Sequence, residues 1–239
     1  MRKVALALSL CSSMVLLAED TAKERLADAT KVFSEVMATP DKGIPQDLLE
    51  KANCIVIVPG MKQAALGIGG KFGRGYAVCR DNHRAFSAPS AVRVEGGSFG
   101  FQIGASNTDV VMLVMNEKGM RRLLEDKFTL GAEATVAAGP VGRSAAANTD
   151  AQLSAEILSW SRSKGLFAGI ALQGATLRAD TDVNQELYGS KLHSKDILAG
   201  DHPAPAGASE LISALNRYSP REDRDKPLET RGADRVKKQ

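Results

Sequence analysis

The stretch that decides the fold is residues 54–104, CIVIVPGMKQAALGIGGKFGRGYAVCRDNHRAFSAPSAVRVEGGSFGFQIG. Ten of the chain's 22 glycines lie between Gly60 and Gly104, and the pattern GGKFG at 69–73 recurs as GGSFG at 96–100. Glycine costs a helix about 1 kcal/mol relative to alanine, whereas strands use it to bend or to approach another backbone closely. The stretch therefore predicts a strongly curved antiparallel sheet. The glycines that we expect to shape it are Gly69, Gly70, Gly73, Gly96, Gly97 and Gly100.

Helical patterns flank this sheet on both sides. Apolar residues recur at helical spacing over 20–38, and Pro45 suits the first position of a second short helix. Asn116 is a good N-cap for the helix that follows it, and further short helices are predicted after Thr181 and over 209–215. The predicted fold class is α+β, with a bent, barrel-like antiparallel β-sheet, N-terminal helices and short C-terminal helices.

Turn residues divide the predicted sheet into short strands. The β-branched run at 54–58 is typical of a buried strand, which Pro59-Gly60 would close. Asn107-Thr108-Asp109 has the chemistry of a turn before a buried strand at 110–115. Residues 163–165 are expected to form the turn of a later hairpin.

The two ends of the chain are unlike the middle. Residues 1–18 have a basic start followed by an apolar run, as a secretory signal peptide does, so we expect an exported, periplasmic or envelope-associated protein. Cys11 lies in a weak lipoprotein-like context, which leaves lipidation as an alternative. Residues 19–216 are read as one domain. The charged, proline-bearing segment 217–239 is expected to be a disordered tail.

The charge distribution argues against a nucleic-acid partner. The net charge of the whole chain is +3, and residues 217–239 alone carry 8 basic and 5 acidic residues. The body of the chain therefore lacks the positive excess that a nucleic-acid-binding domain presents. Any anionic partner has to be held by a local patch.

The cysteines beyond Cys11 are Cys54 and Cys79, both in predicted strands. In an oxidising compartment they could pair as a disulfide. Two small, buried, unpaired apolar side chains are the favoured interpretation, because nothing in the sequence sets the distance between them.

Several segments, taken together and in order, resemble the SYLF-domain family, a lipid-binding module of bacteria, fungi, plants and animals. They are ANCIVIVPG at 52–60, GIGGKFGRG at 67–75, GGSFGFQIG at 96–104, GPVGR at 139–143, WSRSKGLFAG at 160–169 and YG at 188–189. The resemblance implies non-enzymatic binding of phosphoinositides and other anionic phospholipids. Some eukaryotic members also bind actin, which an exported protein would not ordinarily meet.

Basic side chains are the candidates for contact with an anionic headgroup. Arginine can hold phosphate oxygens through two parallel hydrogen bonds, and lysine adds a point charge. The tentative lipid-binding residues are Lys62, Lys71, Arg74, Lys118, Arg121, Arg122, Arg143 and Lys164. For each of them, an ordinary solvated charge is the alternative.

Catalytic and cofactor motifs are weak. Ser98 in GGSFG formally matches the G-x-S-x-G nucleophile elbow, but that motif needs a strand-to-helix turn, and a strand is predicted to continue here. The segment 67–73 lacks the Ser/Thr that follows Gly-Lys in a phosphate loop. The three histidines, His83, His193 and His202, are too far apart to suggest a metal site. We therefore expect no enzyme, cofactor or metal, and keep a serine hydrolase as the third hypothesis.

The sequence thus favours a protein that binds anionic phospholipid at a membrane surface. An envelope scaffold that binds another protein is the second hypothesis.

Overall fold

The computed structural model describes residues 21–39, 43–80, 85–125, 127–142, 150–163, 166–170, 172–200 and 202–219. Within these ranges, residues 65–68, 98–104, 150 and 153 are described by their backbone alone. The helices of this part are α1 (Ala22–Ala38), α2 (Gln46–Lys51), α3 (Glu117–Leu124), α4 (Asp150–Ser154), α5 (Thr181–Tyr188), α6 (Ser194–Leu198) and α7 (Ala208–Tyr218). Its strands are β1 (Cys54–Cys79), β2 (Ser90–Val114), β3 (Lys127–Thr129), β4 (Val136–Ala138), β5 (Ile157–Ser163), β6 (Leu166–Gly169) and β7 (Thr176–Ala179).

Two unusually long strands, β1 and β2, form an antiparallel ribbon. The prediction that Pro59-Gly60 and residues 107–109 interrupt it is wrong, because both strands continue through these positions. A register shift between Val58 and Met61 takes up the irregularity, and Gly60 adopts a φ of 55° there. Its N–H donates to Asp109 Oδ1 at 2.9 Å. The turn-forming residues therefore make a bulge inside the ribbon instead of ending it.

The ribbon curls until the two ends of β1 meet. Cys54 and Cys79 are 25 residues apart in sequence, yet their Cα atoms are 4.0 Å apart and a disulfide joins them. The Arg80 N–H also donates to the carbonyl of Asn53 at 2.8 Å. The favoured interpretation of two unpaired cysteines is wrong, because it considered the strands separately and could not foresee that one strand curls back on itself. Both side chains are buried, as expected.

The remaining strands extend the ribbon into a seven-stranded sheet. Its order is β3-β7-β2-β5-β4, with β1 paired to β2 and β6 paired to β5. The predicted antiparallel pairing of β5 with the segment after residue 165 is confirmed, whereas residues 164 and 165 of the predicted turn lie outside the described residues. Every pairing is antiparallel except that of β4 with β5, so the sheet is mixed and not purely antiparallel as predicted. The α+β class with a bent, barrel-like sheet is confirmed.

Helix α1 covers one face of the ribbon. It begins with a capping box between Thr21 and Glu24, which satisfies free backbone N–H groups of the first turn. Leu26 and Phe33 on its apolar stripe are at most 1% exposed, so the stripe packs in the core. The Tyr76 hydroxyl, from β1, donates to the carbonyl of Ala22 at 2.6 Å.

A second set of buried residues fills the opposite face of the sheet, including Val56, Met112 and Phe128. None of the helices in the described part is long and apolar enough to cross a membrane.

The end of α7 is tied to Arg80, the residue that directly follows β1. The buried Arg80 guanidinium donates to the carbonyl and to the hydroxyl of Ser219, and this hydroxyl donates to the carbonyl of Leu49 at 2.9 Å. Ordered structure therefore continues through Ser219. The rest of the predicted tail, like the predicted signal peptide at 1–18, lies outside the described residues.

Candidate functional site

The structure divides the predicted cations into two groups. The β1 group is Lys62, Lys71 and Arg74, and the α3 group is Lys118, Arg121 and Arg122. Lys62 pairs with Asn107, and α3 follows the end of β2 at Val114. At about 3.3 Å per residue, roughly 23 Å of strand separates Asn107 from Val114. The two groups therefore lie on different elements, separated by residues 107–114 of β2. Arg143 and Lys164 lie outside the described residues.

Each cation of the α3 group has a carboxylate partner. The pairs are Lys118 Nζ with Glu156 Oε1 at 2.6 Å, Arg121 Nη1 with Glu117 Oε2 at 3.8 Å, and Arg122 Nη1 with Glu125 Oε2 at 3.4 Å. Glu156 is buried, so the charge of Lys118 offsets the cost of removing this carboxylate from water. The other two pairs are exposed and contribute little to stability. The positive charge of the α3 group is largely balanced by these neighbours.

The β1 group lies at a different feature, the middle of the ribbon. We define the arch as residues 62–72 of β1 together with residues 96–107 of β2. In the described part of the chain, β5 pairs with β2 only over 109–114, and β7 only over 92–95. The arch is thus a two-stranded segment that no further strand extends.

The two ends of the arch meet where β1 packs back on its own first half. A Cβ added to Gly73 would lie 2.6 Å from Val58 Cγ1 and 3.0 Å from Met61 Cβ. Real Cβ atoms essentially never show the shorter of these distances, so the close approach depends on glycine. Lys62 follows Met61 and Phe72 precedes Gly73, so the backbone brings the two ends of the arch together. We call the place where Gly73 packs against Val58 and Met61 the crossing.

The predicted structural glycines have different surroundings. A Cβ at Gly96 would lie 3.2 Å from Ala175 Cα, whereas a Cβ at Gly97 would meet nothing within 4 Å. Among the ribbon glycines whose surroundings are described, Gly75 is the tightest, and a Cβ there would lie 2.7 Å from Val58 Cα. The sequence interpretation did not single out Gly75. No local signal distinguishes it, because the atoms that it meets lie 17 residues earlier in the chain.

Exposed apolar side chains accompany the crossing. Phe72 is 42% exposed and Leu166, the first residue of β6, is 76% exposed. Leu166 pairs with Ser163, whose hydroxyl donates to the carbonyl of Asn107 at 3.4 Å, and Asn107 pairs with Lys62. The adjoining ends of β5 and β6, at Ser163 and Leu166, therefore lie beside one end of the arch. The sequence interpretation missed Leu166, although an apolar residue directly after a polar turn was its available signal.

Lys71 and Arg74 are both partly buried near this crossing. The Lys71 side chain extends across Gly96, and burial lowers the pKa of its ammonium group. Arg74 Nε lies 2.9 Å from Oδ2 of Asp180, the buried N-cap of α5, and its guanidinium lies 5.6 Å from the Phe72 ring centroid. Because Asp180 balances the charge of Arg74, Lys62 and Lys71 are the members of the β1 group that are best placed to meet an outside anion.

A chain of charged side chains connects the crossing to α1. Arg162 on β5 donates to Asp109 Oδ2 from Nη2 at 2.7 Å and from Nε at 3.0 Å. Its Nη1 also donates to Glu35 on α1. Since Asp109 accepts from Gly60 as well, this network joins three strands and one helix at the end of the arch.

The described residues do not form the hydrolase geometry that Ser98 would need. Ser98 lies within the continuous strand β2, where it pairs with Gly69, so the strand-to-helix turn of a nucleophile elbow is not formed there. His193 is the N-cap of α6, and Asp150 begins α4. Among the described residues, no three His, Cys, Asp or Glu side chains stand close enough together to hold a metal ion.

The curled ribbon, its covering helices and its exposed arch define an α+β domain that offers surfaces for binding. The sequence profile described as "Ysc84: Las17-binding protein actin regulator" matches residues 95–218. The chain belongs to this Ysc84, or SYLF-domain, family, as the motif pattern predicted.

Relatives of known name support the same assignment. The SH3 domain-containing YSC84-like protein 1 of Rattus norvegicus is 32% identical over 199 residues, covering 82% of this chain and 58% of the rat protein. Protein YSC84 of Saccharomyces cerevisiae is 34% identical over 178 residues, covering 73% of this chain and 38% of the yeast protein. The chain thus corresponds to well under two thirds of the length of these relatives.

Proposed function

We propose that this protein binds anionic phospholipid at a membrane surface, without catalysis, through the crossing at the end of the arch. The observation that carries the proposal is the joint presence there of two cations, Lys62 and Lys71, and two exposed apolar side chains, Phe72 and Leu166. A membrane interface offers matching chemistry, because phosphate groups lie directly above acyl carbon. The SYLF resemblance points to the same ligand class.

The magnitudes favour a reversible contact. A basic residue near an anionic membrane contributes about 1 kcal/mol, so the two lysines together supply about 2 kcal/mol, which salt screens. Burial of apolar side chain adds about 25 cal/mol per Å² removed from water and depends little on moderate salt. Both contributions are needed for useful affinity.

We expect the double variant Lys62→Ala/Lys71→Ala to bind anionic vesicles roughly thirty-fold more weakly at low salt, because it loses about 2 kcal/mol of attraction. The measurement is cosedimentation with phosphatidylcholine vesicles that do or do not contain phosphatidylserine. The matched control is Arg121→Ala/Arg122→Ala, which removes the same charge from the two exposed ion pairs of the α3 group and should change binding by less than about threefold.

Thermal unfolding of both variants checks that they remain folded. Equal losses in the two variants would show that the protein responds to net charge alone and would contradict the assignment to the crossing. If the wild type shows no greater cosedimentation with phosphatidylserine-containing vesicles than with phosphatidylcholine vesicles at low salt, binding of anionic lipid is itself contradicted.

We further propose that the protein works outside the cytoplasm. The Cys54–Cys79 disulfide supports export, because such bonds persist in oxidising compartments and are rare in reducing ones. The lipids met there would be glycerophospholipids of the envelope. Mass spectrometry of the protein purified from envelope fractions tests this, since export predicts a chain that starts near Glu19, and an intact start at Met1 would contradict it.

The names of the relatives favour a second candidate, a protein partner. The family is described as Las17-binding and actin-regulating, and the rat relative carries an SH3 domain. An exported chain would meet an envelope protein instead of actin. Recovery of one envelope protein in stoichiometric amount, retained at high salt and independent of lipid, would favour this candidate. Cosedimentation of the purified chain with actin filaments would contradict the exclusion of actin.

A further inference from the structure

Strand alternation separates the arch into two chemically different faces. Successive residues of a strand lie on opposite faces, and cross-strand partners share a face. One face, the apolar face, carries the positions of Ala64, Leu66, Ile68, Gly70 and Phe72 on β1 and of Gly97, Phe99, Phe101, Ile103 and Ala105 on β2. The other, the polar face, carries Gln63, Ala65, Gly67, Gly69 and Lys71 on β1 and Gly96, Ser98, Gly100, Gln102, Gly104 and Ser106 on β2.

The separation into two faces is preserved across the register shift between Leu66 and Gly67. Leu66 pairs with Ile103 and Gly67 pairs with Gly100, so residues 101 and 102 are two extra residues on β2. Because an insertion of two restores the period of two, the alternation resumes in the same phase. Every position between 64 and 72 that belongs to the apolar face is thus apolar or glycine.

The apolar face is the one turned to solvent wherever its side chains are described. Ala64, Gly70, Gly97 and Ala105 are all exposed, and Phe72 is 42% exposed. On the polar face, by contrast, Gln63, Gly69, Lys71 and Gly96 are only partly exposed, and Ser106 at its end is exposed. This reverses the usual arrangement of a half-buried strand, in which the apolar positions face the protein. An outward apolar face larger than scattered single residues marks an interaction site.

We propose that the apolar face of the arch is the element that enters the membrane and contacts the acyl chains. This inference rests on the proposed lipid binding and specifies the part of the lipid that the arch meets. Charge complementarity favours lipid as the occupant, because Lys62 lies on the same face at its margin, with Leu166 beside it. Lys71 lies on the polar face, so it contributes attraction to the anionic surface from nearby and not a contact on the inserted face. A cation bordering an apolar surface matches phosphate above hydrocarbon.

Backbone chemistry limits how deeply the arch can insert. A two-stranded ribbon keeps unpaired N–H and C=O groups along both outer edges, and hydrocarbon offers them no hydrogen-bond partner. An arch lying flat at the boundary of headgroups and acyl chains keeps its edges near water while its apolar face is covered. The insertion is therefore shallow, about 5–10 Å, as for an amphipathic helix that lies in the interface.

The test compares two neighbouring residues, Ala105 and Ser106, which are both exposed and lie on opposite faces of the same strand. Ala105→Asp places a charge on the apolar face and should weaken binding to phosphatidylserine-containing vesicles by roughly tenfold or more, because a buried charge is costly in a membrane. Ser106→Asp changes the net charge equally but on the polar face, and should lose much less. Thermal unfolding confirms that both variants fold.

The depth of insertion of the arch is measured by the quenching of tryptophan fluorescence by lipids with brominated acyl chains. The chain's one tryptophan, Trp160, is fully buried and gives a constant background. Ala105→Trp should be quenched by lipids brominated near the headgroup, and Ser106→Trp should be quenched clearly less.

The outcomes separate this inference from the proposed function. If the wild type binds anionic vesicles but both aspartate variants weaken equally and neither tryptophan is quenched, the insertion is wrong and surface binding stands. If the wild type does not bind at all, both are wrong. If the wild type is a dimer without lipid and Ala105→Asp makes it monomeric, the occupant of the face is a second copy of the chain, and the proposal is overturned.

Discussion

Replacing Cys54 and Cys79 together with alanine is expected to lower the free energy of unfolding by about 3.5 kcal/mol. The value follows from the loop-closure entropy that a crosslink across 25 residues removes from the unfolded chain. The disulfide also joins the two ends of β1 where the ribbon closes on itself. We therefore expect the double variant to loosen the crossing, and vesicle binding to weaken with it.

Urea unfolding of the wild type and of the double variant measures this loss, provided that the dependence of stability on urea stays the same in both. A control is available in the same chain, because reduction of the wild type should reproduce the stability of the variant. Equal stability of reduced and oxidised wild type, with two free thiols found by mass spectrometry, would restore the interpretation of two unpaired cysteines.

Replacing Gly75 with alanine is expected to cost about 3 kcal/mol of stability or to prevent folding. The added methyl group would clash with backbone atoms, which cannot move aside as a flexible side chain could. An added Cβ would lie 2.7 Å from Val58 Cα and 2.8 Å from the carbonyl carbon of Ile57, closer still to its oxygen. All of these are backbone atoms of the strand segment that Gly75 touches. Relief therefore requires the two halves of β1 to move apart.

The matched control is Gly97→Ala in the other strand of the same ribbon. A Cβ there meets nothing within 4 Å, so we expect the stability to change by no more than about 0.5 kcal/mol. Urea unfolding compares the two variants directly. If Gly75→Ala is as stable as Gly97→Ala, β1 does not make the close self-contact described above.

Local sequence patterns correctly predicted the elements whose structure depends on residues close in sequence. Asn116 caps α3 by accepting from the Gly119 N–H at 2.9 Å, and α1 follows its apolar stripe. The motif order also identified the family. Prediction failed at residues 107–109, where turn chemistry occurs inside a long strand, because Asp109 accepts the tertiary bond from Gly60 opposite a bulge of β1.

The candidate site could be predicted only in part, because the charge of a residue is visible in the sequence and its partner is not. The sequence identified Lys62 and Arg74 equally. The structure gives Arg74 a buried carboxylate partner in Asp180, more than 100 residues later, and leaves Lys62 at the margin of the arch. The sequence likewise contained the alternation of the arch, but which face looks outward depends on how the ribbon curls.

By itself, then, the sequence determined the curved glycine-rich sheet, the flanking helices and the family, since these follow from side-chain periodicity and backbone freedom within short segments. Only the tertiary structure decided that β1 closes on itself through Cys54 and Cys79, that Gly75 packs directly against the backbone of Ile57 and Val58, and that the described apolar side chains of the arch, Ala64, Phe72 and Ala105, are exposed. These properties arise from contacts between residues distant in the chain, whose meeting depends on the accumulated twist and curl of the whole ribbon.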